Sequence, residues 1–423
     1  MTPLDALPQP ATRRRAVRIT PDALRHVRAG HPWVFDRSVN SVSDTPGAEL
    51  AVVFDKNREF AAIGLYDPSS PLRLRILHHG SPTPIDEAFW QARIDRAADL
   101  RSGLQRSATT GYRCINGEND GIPGLILDRY EDVGVVKVYT AALVPHLRPI
   151  VTAAAQRFGL NTVILRLARR VDIPVAWRNA VGDGIALLGE IPTSPILFRE
   201  NGLQFEADVV HGQKTGHFLD QRDNRMLVRD RSNGMRVLDM FASTGGFSVY
   251  AAAGGAVQVV SVDISAPTLA VAERNLGHNG FHGDQYRAIV GDAFEVFKGL
   301  TRRRERFDMV IIDPPSFAHR ADDVGRAVDA YSSLTEAAMG VLDPGGTLVQ
   351  ASCSSHVDEQ SFVAAVRRGA GAAGFDLGLE LVTGHAVDHP VGFAEGRYLK
   401  AVIAAPKRIN RPPVAAGGGR GTR

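Results

Sequence analysis

Strands and helices alternate along the second half of the chain, and this alternation constrains the fold more than any other feature. The apolar strand candidates are 236–240, 258–262, 286–290, 309–312 and 347–351, and the helix candidates are 246–253, 267–275 and 327–341. Alternation of this kind predicts a parallel sheet that helices cover on both faces. Ligands of such open sheets bind beyond the carboxyl ends of the strands, so the residues at those ends carry the functional argument.

The first of these strands runs into a glycine-containing turn. Asp239 lies at the strand end, and Phe241, Thr244, Gly245 and Gly246 follow it. The two glycines let the backbone approach a ligand closely, just ahead of a helix N-terminus. The pattern is not the G-x-G-x-x-G of dinucleotide enzymes, so it disfavours a nicotinamide cofactor.

Carboxylates end the next two strands. Asp263 is placed to accept both hydroxyls of a ribose, and Asp292 is placed to meet an adenine amino group. Each of these residues taken alone is more often structural. In this order, with the glycine turn before them and Asp313 after them, they predict an S-adenosylmethionine site to which Asp239 also belongs. We expect no metal ion in this site.

The fourth strand runs into Asp313-Pro314-Pro315-Ser316. The prolines fix φ and lack N–H donors, which leaves the carbonyls and the Asp313 carboxylate to hold a planar, amino-bearing ligand. The fifth strand ends in Ser352-Cys353-Ser354, so its thiol is expected to face the same crevice. We therefore predict Asp313 and Cys353 as catalytic residues, with Pro314 and Pro315 binding the substrate.

A thiolate has a specific use in methylating a pyrimidine. Its attack on carbon 6 makes carbon 5 enamine-like; after methyl transfer a base removes the carbon-5 proton and the thiol is eliminated. Methylation of a ring or amino nitrogen, such as guanine N7, needs no thiol, and a buried cysteine is often only a small hydrophobe. A nucleophilic Cys353 would therefore distinguish methylation of a pyrimidine carbon from methylation of a base nitrogen. Cys114, in another domain, is expected to be structural.

The remaining sequence sets the domain organisation. Residues 1–15 and 406–423 are expected to be disordered tails, the first of them basic; 16–80 has the short strands of a small β-barrel, 85–195 an α+β pattern, and 200–405 contains the alternating region. Two cysteines in 423 residues fit a reducing cytosol, and a net charge of +3 permits a polyanionic partner. We find no secretion signal and no apolar run long enough for a membrane span, so we expect a cytoplasmic protein.

Over roughly residues 16–403 the chain resembles the bacterial 23S rRNA cytosine-C5 methyltransferases that carry an N-terminal PUA domain. The matching stretches are 30–35, 119–125, 200–205, 211–222, 244–247, 313–315, 352–354, 388–390 and 395–400. The resemblance implies a Rossmann-like class I methyltransferase domain of α/β fold, preceded by a PUA-like RNA-binding β-barrel and an α+β middle domain. It also implies that Gln221 and Arg222 bind the cofactor, and that 23S rRNA or a large-subunit assembly intermediate is the partner.

The chain departs from the pattern of this family at two positions, and at a third it departs only from the wider group of RNA cytosine-C5 methyltransferases, because the close relatives also have a single thiol. Ser316 stands where many RNA cytosine-C5 methyltransferases have a second cysteine, Ala394 stands where proline is expected, and His217 stands where an aromatic ring is common. None of these changes removes a group that the mechanism needs.

Several alternatives stay open at this stage. Trp33 is a candidate for stacking on RNA, yet it would fit equally well in the core of the barrel. Asp388-His389 offers either a proton acceptor or a structural turn. A methyltransferase acting on a base nitrogen and a non-catalytic RNA-binding ribosome-assembly factor are the competing functions. A homodimer is also compatible with the sequence.

Overall fold

The computed structural model describes residues 3–212 and 214–409, which form two compact units. The first unit contains the described residues up to Met226 together with Gly277–Gly280 and His385–Arg397; the second contains Leu227–Leu276, Phe281–Gly384 and the described residues from Tyr398 onward. None of the helices in these residues is long and apolar enough to cross a membrane.

The first unit begins with a six-stranded sheet in the order β2-β6-β5-β4-β1-β3. Its elements are β1 (Arg15–Ile19), α1 (Pro21–Arg28), β2 (Trp33–Phe35), β3 (Val39–Val42), β4 (Leu50–Phe54), β5 (Phe60–Tyr66) and β6 (Leu72–His79). Helix α1 begins where the Thr20 side chain accepts a hydrogen bond from the Ala23 amide and proline occupies the first turn. Alternate residues of the strands, such as Val17, Val53 and Leu74, point into the core of this sheet.

Residues 3–15 do not form the tail that their composition predicts. Leu4 and Leu7 are buried in the large core of the first unit. The Ala11 amide donates to both carboxylate oxygens of Glu49, at 3.2 and 3.1 Å. This segment has too few apolar residues to show a hydrophobic period, so their burial could not be predicted from the sequence. Of the second predicted tail, residues 410–423 lie outside the described residues.

A five-stranded sheet in the order β11-β10-β9-β8-β7 follows in the same unit. Its elements and the hairpin after it are α2 (Glu87–Leu100), β7 (Gly111–Asn116), β8 (Leu125–Tyr130), β9 (Val133–Val138), α3 (Leu147–Phe158), β10 (Thr162–Leu167), β11 (Ala186–Leu188), β12 (Ile196–Glu200) and β13 (Leu203–Ala207). Helices α2 and α3 pack against each other, and Trp90, Ile94 and Leu147 lie in the core below them.

The second unit is built on a seven-stranded sheet in the order β16-β15-β14-β17-β18-β21-β20. The elements are α4 (Arg222–Arg229), which begins in the first unit, β14 (Arg236–Met240), α5 (Gly246–Ala253), β15 (Gln258–Asp263), α6 (Ala266–His278), β16 (Tyr286–Val290), α7 (Ala293–Arg302), β17 (Phe307–Ile312), α8 (Val324–Met339), β18 (Leu342–Ser352), α9 (Glu359–Ala372), β19 (Phe375–Asp376), β20 (Leu379–Thr383), β21 (Lys400–Ala404) and β22 (Lys407–Arg408). The strand order reverses between β14 and β17, which places a ligand crevice at their carboxyl ends.

The five strands that the sequence predicts form a parallel sheet, and two further strands extend it. Strands β14 to β18 run parallel, whereas β21 runs antiparallel to both β18 and β20. Because β21 is antiparallel to both of its neighbours, β20 runs in the same direction as β14 to β18, and β21 alone is reversed among the seven strands of this sheet. Helices α7 and α9 are additional elements that the sequence did not reveal.

Candidate active site

The turn between β14 and α5 has an unusual backbone. Phe241, Ser243 and Gly245 have positive φ angles of 64°, 51° and 79°. A Cβ on Gly245 would lie 2.8 Å from the Cβ of Ala272, so this position requires glycine. The turn therefore folds tightly and leads directly into Gly246, the first residue of α5.

Asp239 supports this turn from inside the sheet. Its carboxylate is buried, and the Ser248 hydroxyl donates to Oδ2 at 2.6 Å. The same hydroxyl lies 2.6 Å from the Ser261 Oγ. Asp239 is thus bonded to α5 and, through Ser248, linked to β15, which fixes the start of α5 against the strand ends.

Asp263 lies half-buried at the end of β15, and Asp292 lies exposed just after the end of β16. Asp263 accepts the Ser243 amide at 3.0 Å and the Ser265 amide at 2.9 Å. Asp292 caps α7, accepting the amides of Phe294 and Glu295 through Oδ1 at 3.0 and 3.2 Å. Backbone bonds therefore fix the orientation of both carboxylates at one edge of the sheet.

Two apolar side chains beside these carboxylates are candidate site residues that sequence reasoning missed. Ile264 directly follows Asp263 and is 75% exposed, and Phe294 is 37% exposed. Exposed apolar side chains next to fixed carboxylates suit a ligand that is flat at one end and polar at the other. The available sequence signal was an isoleucine placed immediately after a strand-ending acid.

The structure brings Cys353 and the Asp313-Pro314-Pro315 segment together, as the strand order predicts. The Cys353 Sγ lies 3.9 Å from the carbonyl oxygen of Pro314. Cys353 and Asp313 are half-buried, Pro314 is buried, and Pro315 is exposed. A thiol and a carboxylate are therefore presented from neighbouring strands, β18 and β17, at the same sheet edge.

The hydroxyl of Ser354 holds these two segments together. It accepts the amides of Phe317 and Ala318 at 3.1 and 3.4 Å and lies 2.8 Å from the Tyr331 hydroxyl. The Ser316 Oγ lies 3.1 Å from the Ser354 Oγ. The residue that follows Cys353 is thus bonded to the loop that follows Asp313-Pro314-Pro315.

A buried lysine completes this region. Lys400, the first residue of β21, pairs in register with Ser352. Its amine donates to the Ser354 carbonyl at 2.6 Å and to the Tyr398 carbonyl at 3.1 Å. The signal for this residue was a charged side chain opening an otherwise apolar strand.

Gln221, Arg222 and Trp33 belong to the first unit, and their contacts are those of that unit. Gln221 is buried and accepts the Asn224 amide nitrogen at 2.6 Å. The half-buried Trp33 donates through Nε1 to Glu118 at 2.9 Å, and its ring meets that of Phe393 edge-on at 4.9 Å. Trp33 therefore contacts residues outside the six-stranded sheet, and its role as a substrate contact stays a prediction.

Arg222 forms a fully buried ion pair with Asp388. Its guanidinium donates to the two Asp388 carboxylate oxygens at 3.0 and 2.7 Å, and the Arg113 amide donates to the same carboxylate at 2.8 Å. Burial alone would raise the pKa of Asp388, but His389 and Arg222 outweigh it and hold this pKa far below its usual range. A carboxylate held in its ionised form this strongly is a poor proton acceptor, which favours the structural interpretation of Asp388-His389.

Comparison with known proteins agrees with this architecture. The family model for S-adenosylmethionine-dependent methyltransferases matches residues 178–383, and that for PUA-like domains matches residues 17–79. A ribosomal RNA large subunit methyltransferase of Deinococcus radiodurans is 46% identical over 403 residues, covering 94% of this chain and 98% of that protein. The chain belongs to the family of ribosomal RNA large subunit methyltransferases. The ribosomal RNA large subunit methyltransferase I of Vibrio cholerae, 35% identical over 89% of this chain and 95% of its own length, is another relative.

Solved structures show the same fold. A chain described as a methyltransferase from Streptococcus mutans is 20% identical, with a TM-score of 0.77 over 92% of this chain and 99% of its own. A chain described as a methyltransferase complexed with SAH is 21% identical, with a TM-score of 0.78 over 92% of this chain and 100% of its own. The predicted fold class and family resemblance are confirmed, and S-adenosylmethionine is the cofactor of this methyltransferase.

Proposed function

We propose that this enzyme methylates carbon 5 of a cytosine in 23S rRNA through a covalent bond between Cys353 and carbon 6. The names of the relatives support large-subunit rRNA as the substrate. The observation that carries the choice of carbon 5 is the 3.9 Å approach of the Cys353 Sγ to the Pro314 carbonyl. Transfer to a base nitrogen has no use for a thiol at the element that grips the base.

The residues of the second unit fit the cofactor. S-adenosylmethionine supplies an electrophilic methyl group when it is bound. The Asp263 carboxylate suits the ribose hydroxyls, and the exposed side chains of Ile264 and Phe294 suit the faces of the adenine. Asp292 would meet the adenine amino group, and the turn up to Gly246 would lie along the methionine part. Gln221 and Arg222 remain predicted contacts.

The remaining groups act on the target base. Asp313 and the carbonyls of the two prolines accept hydrogen bonds from the exocyclic amine of cytosine, which orients the ring. The Cys353 thiolate then attacks carbon 6, and the electron pair released toward carbon 5 forms the new carbon–methyl bond. Removal of the carbon-5 proton returns electrons to the ring and expels the thiolate, so Cys353 ends the cycle unchanged.

The test maps methylation of 23S rRNA. The 23S rRNA of a strain that lacks the gene is compared by mass spectrometry with the same rRNA after incubation with the purified enzyme. We expect one 5-methylcytidine to be absent and then restored. Cys353→Ser should abolish the restoration, while Cys114→Ala, which changes the buried cysteine of the first unit, should retain it.

RNA containing 5-fluorocytidine gives a direct test of the covalent step. Fluorine at carbon 5 cannot leave as a proton does, so the enzyme–RNA bond should persist and raise the mass of the Cys353 peptide. A missing methylguanosine with an unchanged cytidine profile would refute the proposal in favour of a base-nitrogen enzyme. An unchanged profile of all methylated nucleotides would favour the non-catalytic assembly factor.

A further inference from the structure

The burial of Lys400 has a high cost in free energy. Its side chain is 2% exposed, and lysine is almost never buried so completely without an anionic partner. Among residues 3–212 and 214–409 its amine donates to two acceptors, and both are backbone carbonyls rather than carboxylates. A positive charge held this way calls for a compensating negative charge nearby.

The geometry places that charge at Cys353. Lys400 is the register partner of Ser352, the residue before Cys353, and its amine donates to the carbonyl of Ser354, the residue after it. Directly paired residues of antiparallel strands have Cβ atoms about 5 Å apart, so the lysine stem begins beside the thiol-bearing segment. The amine is therefore fixed against the same short piece of backbone that carries the thiol.

We propose that Lys400 is a positioning residue that stabilises the thiolate form of Cys353. The inference rests on the proposed nucleophilic role of this cysteine and deepens it by naming the group that activates it. Lys400 forms no bond with the substrate in this proposal. It acts through its charge and through the Ser354 carbonyl, which keeps the thiol facing the Asp313-Pro314-Pro315 segment.

The charges around the amine agree with this role. Burial lowers the pKa of Lys400 to about 8, while the thiolate of Cys353, followed by Asp358 and Glu359, raises it. At neutral pH the amine is therefore still mostly protonated and carries the charge that attracts the thiolate. The Tyr331 hydroxyl lies close enough to both Cys353 and Asp313 that their negative charges add to the rise that burial causes in its pKa. A carboxylate in this region opposes a second negative charge at the thiol, so a nearby cation favours the thiolate.

The experiment measures alkylation of Cys353 by iodoacetamide as a function of pH in the full-length enzyme without RNA or cofactor. Peptide mass spectrometry follows this thiol alone, because Cys114 is fully buried and burial raises the pKa of its thiol. We expect a midpoint below the value of about 8.5 found for free cysteine. Lys400→Met should raise the midpoint and slow alkylation at pH 7 roughly tenfold, while Lys400→Arg should keep the wild-type midpoint.

Lys298→Met is the matched control, because this exposed lysine of the same unit pairs with Glu295 and should leave the midpoint unchanged. A wild-type midpoint at or above about 8.5 would overturn the proposal even if Lys400→Met fails to fold. An unchanged midpoint in a folded Lys400→Met would also overturn it. If Cys353→Ser still methylates RNA, the proposed function is wrong. That result would not change the alkylation midpoints measured for the wild type and the Lys400 variants, so the two failures are distinguishable.

Discussion

Removal of the Ser354 hydroxyl tests whether the bond network behind Cys353 matters for catalysis. Ser354→Ala leaves the Phe317 amide, at 3.1 Å, and the Ala318 amide, at 3.4 Å, without their acceptor. It also removes one of the two hydroxyls that bond the Tyr331 hydroxyl, each at 2.8 Å. The contact with the half-buried Ser316 Oγ, at 3.1 Å, is lost as well. At about 1 kcal/mol for each lost bond, weighted down for the contacts to Ala318 and Ser316, the free energy of unfolding should fall by about 3 kcal/mol.

The functional loss should exceed what stability alone explains. The released loop carries Pro314 and Pro315, and a displacement of about 1 Å between a base and its nucleophile can lower a rate about a hundredfold. We expect kcat for methylation to fall by roughly ten- to a hundredfold, with a smaller change in KM for RNA. Urea unfolding and single-turnover methylation measure the two effects separately.

Two variants calibrate this result. Ser316→Ala removes only a half-buried hydroxyl 3.1 Å from the Ser354 Oγ and should cost less than about 1 kcal/mol. Tyr331→Phe removes the hydroxyl that bonds both serines and should fall between the two. A Ser354→Ala enzyme whose stability and kcat both match the wild type would refute the reasoning.

Three further predictions concern other parts of the chain. Asp388→Ala removes the buried carboxylate that bonds the Arg222 guanidinium and leaves it only the exposed Asp223 at 3.4 Å, so it should cost about 3 kcal/mol in urea unfolding, part of which Arg222→Met should restore in the double variant. Burial, followed by the charge of Arg225, holds the pKa of His217 well below its usual value, so His217 binds a proton more readily in the unfolded chain than in the folded protein. The wild type should therefore lose thermal stability as the pH falls below about 6.5, and His217→Phe should lose less stability over the same pH series. Gly245→Ala should weaken binding of S-adenosylhomocysteine in calorimetry, because its Cβ would come within 2.8 Å of Ala272, whereas unaltered affinity would show that the turn adapts.

Much of the second unit could be predicted because its signals are local. The bounds of β14, β16 and α5 agree with the sequence, since each apolar run is bordered by glycine or polar residues. The residues at the carboxyl ends of the strands could be predicted as well, because the parallel arrangement of the strands puts Asp313 and Cys353 at one edge of the sheet.

Other features depend on partners that are distant in sequence. Helix α9 was hidden because Gly369 and Gly371 lower its helical propensity. A Cβ on Gly369 would lie 2.1 Å from the Ser332 carbonyl oxygen, so this glycine serves the packing of α9 on α8. Tertiary contacts that no local pattern contains likewise set the environments of Trp33 and Lys400. Trp33 bonds Glu118, in the turn between β7 and β8, and Lys400 bonds the Ser354 carbonyl.

His217 shows how a departure from the family pattern is accommodated. Its ring lies 5.2 Å from that of Phe198 and 5.1 Å from that of Phe205, in the position of an aromatic core residue. The lowered pKa keeps the ring neutral, so it packs as an apolar ring would. The sequence shows the substitution but not the two phenylalanines that explain it.

The buried ion pair of Arg222 and Asp388 affects the order in which this protein folds during its synthesis. The carboxylate is made 166 residues after the guanidinium that needs it, and the chain on both sides of His385–Arg397 belongs to the other unit. While the ribosome is still synthesising the methyltransferase sheet, the first unit holds an arginine whose buried counter-ion has not yet been made, and the exposed Asp223 is the carboxylate already beside it. The folding of the first unit therefore finishes only after residues 385–397 have been synthesised, and a protein truncated before residue 385 should not yield a stable first unit.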